Sequence, residues 1–364
     1  MDALGFCSTR GAVAAALIGV LGAFAAMPVQ GLTPADAESI YAVTDADREA
    51  AQSATTVHRH ALAVKRADGT SAANLRGTLR SSSGTASSPG GSDPIQIQWP
   101  ADLTYQGGQV LQTTEHHAIY LRPNGFCPIS ACWGNPEGFL RDLSRSDFIH
   151  ITDQYVGTTA DDRYPVGRRA SFSITPPHDF SKGSTPYTDA DMVAFVYAVA
   201  SKTGKTGYGH LYHVFLPPGT DECFDNTYTV CYSPDNLPTF FFCAYHGSVD
   251  FTDIGHVLYT VEPFMNVEGC NEPPGTPNGQ LADSANSVLS HETFETITDP
   301  DGLSWWNDGG NLDLRGYEIG DECQWITFVG TTVYGLPSRF QVDEKTYAVQ
   351  GEYNNARHGC TTAP

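Results

Sequence analysis

The chain has 364 residues, 40% hydrophobic and 11% aromatic, a globular composition sufficient for one large or two ordinary domains. Only 17% of residues are charged, yet 41 acidic against 20 basic side chains leave a net charge of −21. Residues 95–364 hold 33 of the acidic and 13 of the basic groups. A body so acidic repels phosphate backbones and anionic lipid, which argues against a nucleic-acid binder or a peripheral membrane protein. No internal period of 20–50 residues occurs, which removes solenoids and propellers.

Residues 1–31 read as a signal peptide. Arg10 precedes the apolar run Gly11–Met27, and Ala23-Phe24-Ala25 supplies a cleavage pattern, with a later cut near Gly31 as the alternative. The run is shorter than the roughly 20 residues of a membrane span. The mature chain is therefore expected to be secreted and extracellular, with no membrane contact after signal removal. Residues 32–94 are Ala-rich, mixed in charge, and end in the Gly/Ser/Pro-rich stretch Ser81–Pro94. They are expected to be a propeptide or a disordered linker, leaving 95–364 as a single secreted domain.

From Ile95 onward strands and helices alternate. Val110-Leu111 and Ala118–Leu121 have strand character, and Asp142–Tyr155 has helical character. A clearer helix starts at Asp189, with Met192, Phe195, Val196 and Val199 at i, i+3, i+4 and i+7 and Gly204 as its stop. Strand-length apolar runs follow at Leu211–Leu216, Phe240–Tyr245 and Val257–Val261. A helix over Asp283–Thr298 ends at Asp299-Pro300, and Trp325–Tyr334 and Phe340–Val349 read as closing strands. The pattern predicts an α+β fold, a mixed sheet with helices packed on it.

Of nine cysteines, Cys7 lies in the signal. The other eight are Cys127, Cys132, Cys223, Cys231, Cys243, Cys270, Cys323 and Cys360, an even count that suggests up to four disulfides in an exported chain. Cys127–Cys132 and Cys223–Cys231 suit local loops, and Cys323–Cys360 would fasten the C-terminus. A cysteine zinc site would need paired C-x₂₋₄-C spacings, which only Cys127 and Cys132 approach.

The chemistry concentrates in Ser290-His-Glu-Thr-Phe-Glu-Thr-Ile-Thr-Asp-Pro300. At 100° per residue, His291, Glu292, Glu295 and Asp299 share a sector of about 100° that overlaps the apolar stripe of Leu281, Ala285, Val288, Leu289 and Thr296. A carboxylate there is costly to bury without a cation or a proton. The spacing parallels H-E-x-x-H, in which two histidines one turn apart bind zinc and the Glu between them activates water. Here Glu295 stands in the second histidine position. His291 and Glu295 are the expected ligands and Glu292 the general base, with Glu318 or Asp321 as third ligand and Asp299 or Asp301 as alternatives. One imidazole with carboxylates suits zinc, manganese or iron, and argues against a pure calcium cage. Calcium is expected, if anywhere, at the oxygen-rich turns Asp299–Gly302 and Asn307–Gly310, which ordinary turn chemistry explains equally well. His246, closing an apolar strand, reads as hydrogen-bonded structure or a further ligand. Trp305-Trp306 reads as an aromatic flap over the helix end or part of a substrate groove. There is no G-x-S-x-G, and Lys202-Thr-Gly-Lys-Thr206 lacks the first glycine of a phosphate loop.

Gly209-His-Leu-Tyr-His-Val-Phe-Leu-Pro-Pro-Gly219, Phe242-Cys-Ala-Tyr-His246, the Ser290–Pro300 motif and Glu318-Ile-Gly-Asp-Glu-Cys323 resemble a family of secreted microbial proteins. Leu103–Gly108 with His117–Tyr120 is similar to that family's opening strand region. The family is in turn distantly similar to the plant exordium, or phosphate-induced, proteins. Over about ten residues the helix also resembles zincin metallopeptidases, from which it departs at Glu295. The zincin resemblance implies a metal-dependent hydrolase acting on peptide, and the exordium resemblance a non-catalytic protein bound to a cell-surface polymer. A carbohydrate-binding module built on exposed Trp and Tyr is a third expectation, with only unplaced aromatics to carry it.

Overall fold

The structure, a computed structural model, describes residues 39–64, 102–122, 127–175, 185–308, 315–324, 338–342 and 345–364. The expected signal segment with Cys7, the stretch Ser81–Pro94 and the expected strand Trp325–Tyr334 lie outside the described residues. Among the described residues no helix is long and apolar enough to cross a membrane.

Seven strands build one mixed sheet: β1 (Ser39–Ala42), β2 (Thr55–Ala63), β3 (Glu115–Leu121), β4 (Val166–Thr175), β5 (His210–Phe215), β6 (Phe242–Phe251) and β7 (Gly255–Glu262). Their order is β1-β4-β3-β5-β7-β6-β2. The run from β1 to β7 is parallel, β6 returns antiparallel as a hairpin with β7, and β2 lies antiparallel on β6 at the edge. Helix α1 (Asp45–Ser53) precedes β2, α2 (Pro136–Leu143) follows β3, α3 (Asp189–Thr203) follows β4, and α4 (Gln280–Thr298) follows β7.

Side-chain alternation along the strands divides the interior into two cores. Tyr212, Val214, Val257, Tyr259 and Val261 pack with Met192, Phe195, Val196 and Val199 of α3, the four residues predicted as its apolar stripe. Leu211, Phe215 and Leu258 point the other way, onto Leu289, Phe294 and Ile297 of α4. The α3 start is a capping box in which the Thr188 N–H donates to the Asp191 carboxylate (2.8 Å). Its stop is Gly204 at φ +68°, the left-handed cap that glycine supplies without strain.

Four expectations change. Residues 39–63 are neither linker nor spacer: β1 and β2 form both edges of the sheet, so the folded unit starts well before residue 95. Val110 and Leu111 lie outside any strand; the Leu111 N–H donates instead to the Ile297 carbonyl (2.9 Å) under the end of α4. The helix expected over Asp142–Tyr155 is broken, because α2 stops at Leu143 and Ser146 caps a new 3-10 turn over Asp147–Thr152. Phe340–Val349 is a hairpin, β8 (Ser338–Val342) with β9 (Lys345–Val349), rather than one strand.

That hairpin explains a further difference. The helical wheel of α4 predicted one apolar stripe, whereas every residue from Asp283 to Thr298 is buried. The helix packs on the sheet through β6 and β7 and on β9 as well, so its polar side has no solvent to face. Four disulfides brace the fold: Cys127–Cys132, Cys223–Cys231, Cys243–Cys270 and Cys323–Cys360.

Asp299 and Asp301 serve the turn after α4. The Ser304 N–H donates to Asp299 Oδ1 (2.7 Å). Asp301 accepts from the Tyr208 hydroxyl (2.6 Å) and lies 3.3 Å from His256 Nε2. Burial works to raise the Asp301 pKa, but hydrogen bonds from His256 and Tyr208 prevail and hold it at about 2. A depressed carboxylate stabilises the fold above its unfolded pKa of roughly 4, and the gain is lost as pH falls toward 2. Asp301→Asn should therefore lower stability at pH 7 by on the order of 1 kcal/mol after allowance for solvent screening. Thermal melts between pH 5 and pH 2 should show a smaller pH dependence in the variant than in the parent; equal slopes would contradict this role.

Candidate metal centre

Between α4 and the β6–β2 edge the chain buries a concentration of ionisable groups. Helix α4 contributes His291, Glu292 and Glu295, all fully buried. Opposite them β6 presents His246, which faces Thr260 of β7 on one side and His60 of β2 on the other. Strand periodicity turns His58 to the same face as His60. The loop after the Trp305-Trp306 strand brings Glu318 and Asp321, and the Cys323–Cys360 disulfide ties that loop to the C-terminal segment. Gly320 makes the approach possible, because a Cβ there would lie 2.4 Å from His291 Nδ1.

The distances are those of groups sharing a centre. His291 Nε2 is 3.0 Å from Glu295 Oε1 and 4.0 Å from Asp321 Oδ1. His60 Nε2 is 2.5 Å from Asp321 Oδ2, and its Nδ1 is 3.5 Å from Glu318 Oε1. His246 uses both nitrogens: Nδ1 lies 3.3 Å from Glu292 and 3.4 Å from Glu295, and Nε2 lies 3.5 Å from Glu318. His58 Nε2 is 3.7 Å from Glu318. Among the described residues, the ion-pair partners of Glu292, Glu295 and Asp321 are all histidines.

These pairs set the electrostatics. Burial opposes a proton on His60, but Glu318 and Asp321 outweigh it and raise the imidazole to about 9. The same opposition resolves the same way at His291, which Glu295 raises to about 10. His246 also rises, against burial, under Glu318, Glu292 and Glu295. Burial would raise Glu295, yet His291 and His246 hold it well below the usual carboxylate range. Glu292 goes the other way: burial outweighs its hydrogen bond with His246 and lifts it to about 7. Glu262 and Glu352, also buried, are pushed up by desolvation.

The residues fit a divalent ion. His60 Nδ1, His246 Nε2, His291 Nε2, Glu292 Oε1 and Glu295 Oε2 are buried without an aligned hydrogen-bond partner, and buried polar atoms of that kind call for an explanation. Two ligands of one tetrahedral zinc, each about 2.0–2.1 Å from it, stand roughly 3.3 Å apart, close to most of the contacts above. Three overlapping sets have ligand atoms that converge: His60, Glu295 and Asp321, with His291 beside them; His58, His246 and Glu318; and His246, Glu292 and Glu295. The side-chain amide of Gln350 contacts His291 Nδ1 (2.9 Å) and donates to the Gly320 carbonyl (2.7 Å). Both contacts run through the Gln350 amide nitrogen, which ties the His291 ring to the Gly320 turn.

The structure thus brings together His291, Glu292, Glu295, Glu318, Asp321 and His246 from the sequence-based set. Asp299 and Asp301 stay outside, held by the turn. Neither oxygen-rich turn is among the described groups with metal-ligand geometry; Asn307 donates to Glu322 (2.5 Å), and Asp308 pairs with Arg315 (3.1 Å). Trp305 packs on Tyr105 and Tyr155 and donates to the Tyr155 carbonyl (2.8 Å), an internal contact of the helix-end layer. A further His/Glu group, Glu115 with His117 and His210, already has its cation, since Lys205 Nζ bonds both Glu115 oxygens at 3.0 and 2.9 Å. Sequence reasoning missed His58 and His60. Their signal was the alternation Val57-His-Arg-His-Ala61, which puts both imidazoles on one face of a strand.

Comparison of the chain with protein-family models, with curated proteins and with solved structures finds no match.

Chelator-stripped protein should take up zinc on titration, read by plasma mass spectrometry and calorimetry. His291→Ala and Asp321→Ala should each weaken uptake at least tenfold, and Asp299→Asn should leave it unchanged. Gly320→Ala should also weaken it, by displacing the His291 ring. A folded protein that takes up no ion would exclude the centre.

Proposed function

We propose that the protein is a metal-dependent hydrolase, zincin-like in its active helix, that works on polypeptide outside the cell. The carrying observation is the convergence of His60, Glu295 and Asp321 at ligand spacing, with His291 3.0 Å from Glu295 and the buried Glu292 one turn away. Manganese or iron would suit the same donors as zinc. A bound divalent ion supplies Lewis acidity and lowers the pKa of water on it.

The chain's own residues divide the remaining work. His60, Glu295 and Asp321, with His291 beside them, would hold the ion. Two carboxylates in a ligand set temper the ion's acidity, so more of the proton transfer falls to a protein base. Glu292 is placed for that role: it has an oxygen without a hydrogen-bond partner, and burial raises its pKa above the ordinary carboxylate value. His246 lies between Glu292 and Glu318 and would steady both carboxylates as Glu292 changes charge. The four disulfides support an extracellular setting.

The second reading is a structural metal in a non-catalytic, exordium-like extracellular protein. Complete burial favours it, since His246, His291, Glu292, Glu295 and Glu318 have no solvent exposure and closed sites are the structural ones. Glu292→Gln separates the two. A hydrolase should lose turnover of a peptide substrate by at least 100-fold while keeping its metal; a structural centre has no turnover to lose.

A further inference from the structure

We propose that the cluster holds two divalent ions, the second bound by His58, His246 and Glu318 at the partly exposed end of the cluster. That the chain binds both ions stands apart from the hydrolase reading; that the outer ion serves turnover rests on it.

Of the three converging sets, two share no residue: His60, Glu295 and Asp321, and His58, His246 and Glu318. The third borrows His246 from one and Glu295 from the other, and so marks where the two adjoin. The chain builds both from the same two segments. β2 gives each set one imidazole, because His58 and His60 are two residues apart on one strand face. The turn at 318–321 gives each set one carboxylate, and the Glu318 N–H donates to Asp321 Oδ2 (3.2 Å), which ties the two together. The remaining donors come from opposite walls, His246 of β6 for the outer set and Glu295 of α4 for the inner. Gly247 permits the close seating of β2, since a Cβ there would lie 2.8 Å from the His58 carbonyl oxygen.

In the outer set Glu318 Oε1 is 3.7 Å from His58 Nε2, and Glu318 Oε2 is 3.5 Å from His246 Nε2. Both are wider than a hydrogen bond and near the roughly 3.3 Å between two ligands of one tetrahedral zinc. His246 Nε2 is fully buried, has no aligned hydrogen-bond partner and is directed into this set. Its other nitrogen lies 3.3 Å from Glu292 and 3.4 Å from Glu295, the carboxylate backing that ligating histidines have. His60 does the converse: Nε2 meets Asp321 in the inner set, and Nδ1 lies 3.5 Å from Glu318 of the outer. Each ring thus serves its own set with one nitrogen and leans the other on a carboxylate of the neighbouring set.

Charge argues the same way. Histidines bind a metal in their neutral form. With the imidazoles neutral, Glu292, Glu295, Glu318 and Asp321 carry four negative charges in an interior where an unpaired charge is costly. One divalent ion leaves half of that charge uncompensated, and two ions balance it. Glu262 and Glu352 lie outside both sets, and desolvation favours their neutral forms. The two sites differ in openness. The inner set has His291 beside it as a fourth donor, 3.0 Å from Glu295, and all its members are buried, the closed form of a structural site. The outer set has three donors, the number that leaves a fourth position for water. Its His58 side chain keeps 9% exposure, and beyond it the strand runs out to exposed Val57, Thr56 and Thr55. A substrate carbonyl would reach the centre from this end. Two imidazoles and one carboxylate suit zinc, manganese or ferrous iron.

The test titrates chelator-stripped full-length protein with zinc, counts retained metal by plasma mass spectrometry after desalting, and follows casein hydrolysis alongside. The parent should retain two zinc ions per chain. His58→Ala should retain one, because His58 belongs to the outer set alone, and its casein hydrolysis should fall at least tenfold. Manganese loading of the parent gives a reading that needs no substitution and stands if the variant fails to fold. Two ions in adjoining sets should give a spin-coupled paramagnetic resonance spectrum, in place of the hyperfine lines of isolated ions. One zinc in parent and variant alike, two in both, or an uncoupled manganese spectrum would each overturn the second site. Casein hydrolysis by a one-zinc parent would overturn the second site and leave the hydrolase reading intact. Two zinc ions in the parent, one in the variant and hydrolysis by neither would keep the site and overturn the hydrolase reading. Unchanged hydrolysis after loss of the second zinc would overturn the role of the outer ion in turnover.

Discussion

Glu292 and Glu295 of α4 are carboxylates with no solvent exposure, and much of the surrounding architecture answers to their burial. An ionised carboxylate taken from water into a dry interior costs several kcal/mol even after relaxation, unless a counter-charge and hydrogen bonds accompany it. Glu292 and Glu295 are one turn apart on a helix with no solvent-facing side, and Glu318 and Asp321 join them. No single element can neutralise that cluster. Imidazoles arrive from β2, from β6 and from α4 itself, so the chain must unite residues 58 and 321 before the cluster is tolerable. The edge pairing of β2 on β6, the glycine at 320 and the Cys323–Cys360 disulfide all serve that meeting.

Local patterns in the sequence were informative wherever the determinant was local. The four-residue stripe and glycine stop of α3, the span and proline end of α4, and the three apolar strands needed only neighbours a few residues away. The even cysteine count anticipated four bridges for the same reason: composition and spacing sufficed. The H-E-x-x-E helix was visible because two ligands one turn apart leave a mark in a single window of sequence.

What escaped was non-local. β2 pairs with a strand almost 190 residues further along, and nothing within Thr55–Ala63 reports that partner. Its alanines and mixed charges have the composition of a spacer, and only the alternation of His58 and His60 speaks for a strand face. The burial of α4 was hidden likewise, because a helical wheel records one packing layer while the second is supplied by β9, much further along the chain. His246 ends an apolar run whose burial is evident, but the carboxylates that give it a chemical role come from two later segments, α4 and the loop of Glu318.

Burial and reactivity pull in opposite directions at such a centre. The burial that raises the Glu292 carboxyl, and would suit it to the proposed role of base, also leaves the α4 end of the cluster without solvent exposure. A rigid protein would have to give up one for the other. Strand β2 is part of that burial rather than a cover laid over it. Its removal would break the ladder with β6, leave the buried Asp189 without Arg59, take Ala61 and Leu62 out of the core and part His60 from Asp321. Breaking a buried pair from one side costs far more than losing an exposed one. The imidazoles that make the cluster tolerable are thus held by the same edge pairing that buries it.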